Sequence, residues 1–130
     1  MPKIIIASGP VIVENNKVLL NKHGDDEFWK FCGGRVEDNE SNLKEAAKRE
    51  VREEMGLEIE ILNDQPYLFY TEKEVEGKKI SVILAHFLAK RIGEVVPGEE
   101  IREWKWIDLA WLDKENLAPN IKATLKHFGL

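Results

Sequence analysis

Residues 33–57 of the chain read GGRVEDNESNLKEAAKREVREEMGL. Apolar residues recur every four positions from Leu43 to Met55, and strong helix formers fill most positions between them. Asn42 suits the N-cap of such a helix, and Gly56 suits the residue after its last turn, where a left-handed backbone is common. The pattern predicts an amphipathic helix between these two residues, with its apolar stripe facing the core.

Three glutamates on this helix are spaced for metal binding. Glu50, Glu53 and Glu54 stand at positions i, i+3 and i+4, so their carboxylates project from one side and repel one another without a counter-charge. A hard divalent cation offsets that repulsion, because it accepts carboxylate oxygens and keeps further positions for water and phosphate. Gly34 has no Cβ, so its backbone carbonyl can approach the same ion closely.

The basic residues beside these glutamates allow two interpretations. Arg49 lies one turn from both Glu45 and Glu53, and pairing with either would hold a carboxylate in a fixed orientation. A charged run of this kind is more often a solvated helix face joined by ion pairs. The glycine pair, the acidic loop at 35–40 and Gly56 stand in order around the run, and that combination favours the metal site.

The flanking sequence is typical of strands, with a second helix at the end. Apolar triplets at 11–13 and 18–20, separated by two asparagines, predict a β-hairpin. Gly9 and Pro10 predict a break, bulge or edge just before it. Further strand patterns lie at 4–6, 28–31, 59–71, 80–90 and 103–107, with a turn at 76–77, a helical turn at 108–112 and an amphipathic helix at 119–128.

Composition predicts a single globular domain over residues 1–130. Hydrophobic residues make up 43% and charged residues 33% of the chain, which argues against disorder. The formal charge of −5, with basic residues interleaved among acids, argues against polymeric nucleic acid as a main partner. A small phosphorylated ligand is compatible with this charge, because a bound divalent cation reverses the local sign.

One cysteine and three histidines limit the other chemistries. Cys32 has no partner for an internal disulfide, and the histidines at 23, 86 and 127 lack the spacing of a zinc site. Cys32 is therefore expected to be a small buried hydrophobe. The chain begins without the apolar stretch of a signal peptide and has no run long enough to span a bilayer. These features predict a cytoplasmic protein with no membrane partner.

Residues 34–57 resemble the Nudix box, the signature of the Nudix hydrolase superfamily. Gly34 and Glu40 match its opening, and its close is matched by Arg49, Glu50, Val51, Glu53, Glu54, Gly56 and Leu57. There are three departures: eight residues instead of seven separate Glu40 from Arg49, Asn39 replaces a frequent glycine, and Cys32 replaces a frequent proline. The extra residue falls near Ser41, in the loop, so the helix keeps its register and the position of Glu40 is the least constrained.

The resemblance implies an α/β fold, namely an α/β/α sandwich with a mixed central β-sheet between the box helix and the C-terminal helix. It implies hydrolysis of a pyrophosphate bond in a nucleoside diphosphate derivative by attack of water on phosphorus. The implied cofactor is Mg²⁺, with Mn²⁺ as a substitute. Nucleoside triphosphates, ADP-ribose, nucleotide sugars and dinucleoside polyphosphates all remain open as substrates. A homodimer is also compatible, since many relatives are dimers.

The resemblance assigns roles to individual residues. The implied metal ligands are Gly34, Glu50, Glu53 and Glu54. The implied catalytic residues are Arg49, Glu53, Glu54 and one acid of a later loop, for which Glu100 is preferred over Glu99 and Glu103. Arg35, Phe28 and Tyr67 lie in segments expected to border the site and are candidate substrate contacts, although each also suits a plain structural or exposed role. The alternative function is a catalytically silent nucleotide-binding or sensor domain on the same fold.

Overall fold

The computed structural model of the chain describes residues 3–130. Its regular elements follow one another as strands, a helix, more strands and two short helical segments. They are β1 (Ile4–Glu14), β2 (Lys17–His23), β3 (Gly34–Arg35), α1 (Leu43–Met55), β4 (Glu58–Ile61), β5 (Tyr67–Val75), β6 (Lys78–Ile92), β7 (Ile101–Asp108), a 3-10 helix (Leu109–Lys114) and α2 (Ile121–His127).

The seven strands form one mixed sheet. Its central path runs β4-β6-β1-β2-β7, while β3 pairs with β1 and β5 pairs with β6. Strands β1 and β6 run parallel over nine residue pairs, and the other pairings are antiparallel. A parallel pair needs a long crossover, and here α1 lies within it. The sequence expectation of a mixed sheet is confirmed.

Helices cover both faces of the sheet. Neighbouring residues of a strand point to opposite faces, so adjacent apolar residues of β1 pack against different helices. On one face Ile12 of β1 packs in a cluster with Val51 and Met55 of α1. On the other face Val11 packs in a separate cluster with Ile121 of α2. The α/β/α sandwich predicted from the sequence is therefore confirmed. No helix among residues 3–130 is both long and apolar enough to cross a bilayer.

Helix α1 begins and ends where the sequence predicts. The side chain of Asn42 caps it by accepting hydrogen bonds from the backbone N–H groups of Lys44 (2.9 Å) and Glu45 (3.2 Å). Gly56 follows with φ 64°, a left-handed conformation that glycine adopts without strain, and donates to the Arg52 carbonyl. Along the predicted stripe, Ala47, Val51 and Met55 are fully buried.

Both predicted hairpin turns are present. Asn15 and Asn16 join β1 to β2 with φ 50° and 66°, and Glu76 and Gly77 join β5 to β6 with φ 54° and 77°. Positive φ at both central residues gives the turn type whose twist matches that of paired strands.

Two strand predictions are wrong in their boundaries, and of the break, bulge or edge expected at Gly9 and Pro10 the structure shows a stretch without a paired strand on one side. Strand β1 runs without a break through Pro10. Pro10 lies between the segment of β1 that pairs with β3 and the segment that pairs with β2, so no hydrogen bond to a neighbouring strand is required on that edge. The pattern at 59–71 is two strands, because the chain turns away at 62–66, where Asn63 Oδ1 accepts from the Leu88 N–H at 2.8 Å. Residues 28–31 form no strand but only isolated bridges at Trp29 and Lys30.

Candidate active site

Glu54 lies on the side of α1 that faces the sheet and is 3% exposed. Its Oε1 accepts a hydrogen bond from the backbone N–H of Gly33 at 2.8 Å. Gly33 has φ 149° and packs so closely on β1 that a Cβ there would lie 2.7 Å from the Ser8 carbonyl oxygen. The other carboxylate oxygen, Oε2, lies 2.7 Å from Nε2 of His23 at the end of β2. Glu54 is thus fixed between the glycine loop and β2.

Glu50 lies one turn earlier and contacts the second glycine. A Cβ on Gly34 would lie only 2.5 Å from the Glu50 carboxyl carbon, so the carboxylate occupies the space that the missing side chain leaves. Burial raises the pKa of Glu50, as does the like charge of Glu54, while Arg49 acts in the opposite direction. The backbone of Gly34 and the carboxylates of Glu50 and Glu54 therefore meet at the start of the glycine loop.

Arg49 forms a bidentate ion pair with Glu40. Its Nε donates to Glu40 Oε2 at 2.7 Å and its Nη2 donates to Glu40 Oε1 at 2.8 Å. Glu40 also accepts from the backbone N–H of Glu37 at 2.8 Å. The hydrogen bonds from Arg49, then that from Glu37, lower the pKa of Glu40 to about 2, and the pairing raises the pKa of Arg49. The loop residue least constrained in the sequence is thus the main partner of the arginine.

The same guanidinium also contacts two of the helix glutamates. Its Nη1 lies 2.9 Å from Glu50 Oε1 and donates to Glu53 Oε2 at 3.1 Å. Of the two partners that the sequence allows, Glu53 is found, whereas Glu45 pairs with Lys48 at 3.8 Å instead. The arginine balances several negative charges in this crowded site. Among residues 3–130, no three acidic, histidine or cysteine side chains converge as a ready-made metal cluster.

A cavity of about 630 Å³ opens on the α2 side of the sheet, and Gly33 and Gly34 are among its lining residues. Its walls are mainly apolar and aromatic, with five charged residues, namely Asp26, Lys30, Arg35, Glu72 and Lys73. A largely apolar concave site with few polar groups is typical of a small-molecule pocket. The cavity therefore leads from open solvent to the glycines that contact the glutamates of α1.

Three buried polar residues line this cavity, namely Ser8, His86 and Asn120, and none was singled out from the sequence as a site residue. His86 is 6% exposed and Asn120 is 4% exposed. Burial lowers the pKa of His86 to about 4, so the ring is neutral near pH 7, and its Nδ1 donates to the Gly9 carbonyl oxygen 3.1 Å away. A signal was present for His86, since it is one polar residue within the apolar run 82–89 of β6. Asn120 precedes a helix, where asparagine is common as a cap.

Two of the three candidate substrate contacts lie at the cavity and one does not. Arg35 and Phe28 both line the cavity. Tyr67 is not among its lining residues; it stacks on His127 with ring centroids 4.6 Å apart. Phe69 and Thr71, two and four residues further along β5, do line the cavity, so Tyr67 lies just beyond the end of the cavity.

The acids of the later loop also separate. This loop docks on the end of α1, where the Gly98 N–H donates to the Glu54 carbonyl at 2.7 Å. Glu100, two residues later, is exposed, and its carbonyl accepts from the Gly24 N–H at 3.2 Å. Glu103 instead lies 3.6 Å from Lys22, whose ammonium group sits over the Trp29 ring on the other face of the sheet. Glu100 is therefore closer to the end of α1 that carries the glutamates.

Cys32 is 1% exposed and packs in the α1 cluster. Burial, with the nearby charge of Glu54, raises its pKa to about 12. A thiol held protonated in this way is a poor nucleophile, which agrees with the expected packing role.

Comparison with known proteins gives the same family throughout. The family model described as "NUDIX domain" matches residues 5–128. The "Nucleoside triphosphatase NudI" of Escherichia coli O139:H28 is 28% identical over 133 residues, which cover 93% of this chain and 94% of that protein.

Solved structures agree. The Escherichia coli ORF135 protein is 26% identical with a TM-score of 0.72, covering 98% of this chain and 89% of the other. The MutT protein of Methanosarcina mazei Go1 is 26% identical with a TM-score of 0.75, covering 98% and 94%. The chain therefore belongs to the Nudix family and is a Nudix-type pyrophosphohydrolase.

Proposed function

We propose that the protein hydrolyses a pyrophosphate bond of a nucleoside triphosphate, with a divalent cation at the glutamates of α1. The observation that carries this proposal is that Glu50 and Glu54 contact Gly34 and Gly33, the two glycines that also line the cavity. A nucleoside fits the apolar cavity, and its phosphates would then reach the glutamates. The related Escherichia coli protein is named a nucleoside triphosphatase, which supports the choice of nucleoside triphosphates over ADP-ribose, nucleotide sugars and dinucleoside polyphosphates in this proposal.

The donor groups fit Mg²⁺, with Mn²⁺ as a substitute. Glu50, Glu53 and Glu54 offer hard carboxylate oxygens, and Gly34 offers a carbonyl with no side chain in the way. When bound, the cation would neutralise the phosphate oxygens and activate a water molecule for attack on phosphorus. Burial and the like charge of Glu54 raise the pKa of Glu50, and a bound cation would offset both effects.

The other groups of the chain would position the reactants. The Gly33 N–H holds Glu54, and Arg49 holds Glu50 and Glu53, so the carboxylates are oriented before substrate binds. Arg35 and Phe28 in the cavity wall would contact the nucleotide. The proton of the attacking water would pass to a carboxylate on the open side of the site, either Glu53, whose side chain is 54% exposed, or Glu100.

The test compares Glu54→Gln with Glu58→Gln, an exposed glutamate of β4 that pairs with Arg52. Glu54→Gln should lower kcat with Mg²⁺ by roughly 100-fold or more, because it removes a charged ligand, while Glu58→Gln should stay within about 2-fold. Products from nucleoside triphosphates, ADP-ribose, nucleotide sugars and dinucleoside polyphosphates would be separated by anion-exchange chromatography. Unchanged turnover in a folded Glu54→Gln protein would contradict the proposed site, and nucleotide binding without turnover in the wild type would support a silent binding domain instead.

A further inference from the structure

His23 ends β2 beside the glutamates, and so far it has been described only as a neighbour of Glu54. Its Nε2 is buried and lies 2.7 Å from Glu54 Oε2, but the ring is not aligned for a hydrogen bond to that oxygen. Among residues 3–130, Nε2 of His23 is thus one of two buried side-chain polar atoms without a hydrogen-bond partner. A buried nitrogen left in this state beside a carboxylate needs an explanation, and an ion that both groups bind is one.

The second such atom lies on the same strand. Asn21 is two residues before His23, so the two side chains point to the same face of β2, the face that α1 covers. Its Nδ2 contacts Cys32 Sγ at 3.2 Å, whereas its Oδ1 has no partner among the described residues. The unsatisfied atoms of β2 therefore cluster where Glu54 meets the glycine loop, which is typical of a polar site that holds an ion or its water.

We propose that His23 is a direct ligand of the divalent cation, binding through Nε2 beside Glu54. This inference rests on the proposed metal site. Two ligands about 2.1 Å from one octahedral ion are separated by about 3.0 Å, close to the 2.7 Å between His23 Nε2 and Glu54 Oε2, so both side chains can bind with small adjustments. With the imidazole of His23 beside the carboxylates of α1, the cation would have nitrogen as well as oxygen ligands.

The consequence is a different metal preference. Imidazole contributes little to Mg²⁺ binding but strengthens the binding of later transition ions such as Co²⁺ and Ni²⁺. The protein should therefore bind Co²⁺ more tightly than Mg²⁺, and the difference should depend on His23.

The first measurement detects the bond itself. Pulsed electron paramagnetic resonance on the full chain loaded with Mn²⁺ should show the ¹⁴N coupling of a directly coordinated imidazole in the wild type and none in His23→Gln. His127→Gln is the matched control, because that ring stacks on Tyr67 and not on the glutamates, and it should keep the coupling. Coupling that is absent in the wild type, or that survives in His23→Gln, overturns the proposal.

Calorimetric titration gives the second measurement. His23→Gln should weaken Co²⁺ binding by at least about 10-fold and Mg²⁺ binding by less than about 3-fold, since it removes a nitrogen ligand and leaves the carboxylates. Equal losses for both ions would mean that His23 only positions Glu54 and would overturn ligation. The proposed hydrolase function is tested separately. If the wild type hydrolyses nucleotides with Mg²⁺ but shows no ¹⁴N coupling, only the role of His23 is contradicted. If the wild type does not hydrolyse nucleotides, the proposed function itself is contradicted.

Discussion

The two faces of the sheet differ in how their functional groups are arranged. On the α1 face, charged groups are packed together and tied by hydrogen bonds, with Arg49, Glu40 and Glu54 each held by at least two contacts. On the α2 face, an open cavity is walled by apolar and aromatic side chains, with His86 and Asn120 buried at its surface. The first region is fixed by many contacts, as the proposed chemistry requires, and the second is open and concave, as the proposed nucleoside site requires.

The difference also lies in where the residues come from along the chain. The charged region is built from one continuous stretch, residues 33–57, apart from His23 and the loop near Glu100. The cavity wall draws on β1, β5, β6, the segment before α2 and residues between 26 and 35, so it shares only Gly33, Gly34 and Arg35 with that stretch. Bond cleavage and ligand choice can thus change independently, and substitutions in each region should separate kcat from KM.

The largest effect is expected for Gly34→Ala. Its Cβ would displace the Glu50 carboxylate, which is the flexible end of a side chain, so the fold should adjust while the proposed metal site is disrupted. We expect kcat to fall by about 100-fold, or about 2.7 kcal/mol in the activation barrier, with the melting temperature nearly unchanged. Steady-state kinetics with Mg²⁺ and thermal unfolding would be measured together.

Gly77→Asn is the control for that experiment, because it lies in the distant β5–β6 turn at φ 77°, which asparagine tolerates. Its turnover should match the wild type. If Gly34→Ala were as active as the control, the contact between Gly34 and Glu50 would have no part in the chemistry.

A smaller effect, confined to binding, is expected for Thr71→Trp. Thr71 lines the cavity from β5, so the larger ring would fill the space proposed for the nucleoside. KM for a nucleoside triphosphate should rise by roughly 10-fold, while hydrolysis of inorganic tripolyphosphate, which has no nucleoside, should be unchanged.

Tyr70→Trp is the matched control on the same strand. Tyr70 is 60% exposed and points to the opposite face of the sheet, so the same large side chain there should leave KM unaltered. Equal changes in the two variants would show that β5 is merely disturbed and that the cavity does not hold the nucleoside.

Local signals explain why the sequence predicts one region better than the other. Helix α1, its caps and its buried stripe follow from periodicity and from Asn42 and Gly56, which act within a few residues. The sequence could not place Glu40, because its position depends on how the loop absorbs an extra residue. The structure shows that the loop closes as a turn, with the Glu40 N–H donating to the Glu37 carbonyl at 2.9 Å, and this brings the carboxylate to Arg49.

The cavity depends on contacts that no local pattern encodes. His86 becomes a wall residue only because β6 pairs with β5 on one side and with β1 on the other. Tyr67 illustrates the reverse case, since an aromatic residue in a bordering segment packs on α2 instead. Periodicity gives the face of a strand but not the neighbour that covers it.

The smallest effect concerns the loop that joins the two regions. The pKa of Glu40 is lowered from 4.5 to about 2 in the folded protein, so its ionised form contributes stability above about pH 4.5, and this contribution is lost as the pH falls through about 2. Glu40→Gln should therefore lower the melting temperature by about 2–4 °C at pH 7, since the pair with Arg49 is partly exposed, and by progressively less below pH 4.5.

Thermal unfolding from pH 7 to pH 2.5 would measure this change, with Glu60→Gln on the exposed side of β4 as the control that should follow the wild type throughout. A difference for Glu40→Gln that stays constant down to pH 2.5 would mean that the ionised carboxylate is not what stabilises the loop. If the difference disappears at low pH as predicted, Arg49 binds the ionised Glu40 carboxylate in solution. The extra loop residue near Ser41 then leaves intact the connection between the glycine loop and the glutamates of α1.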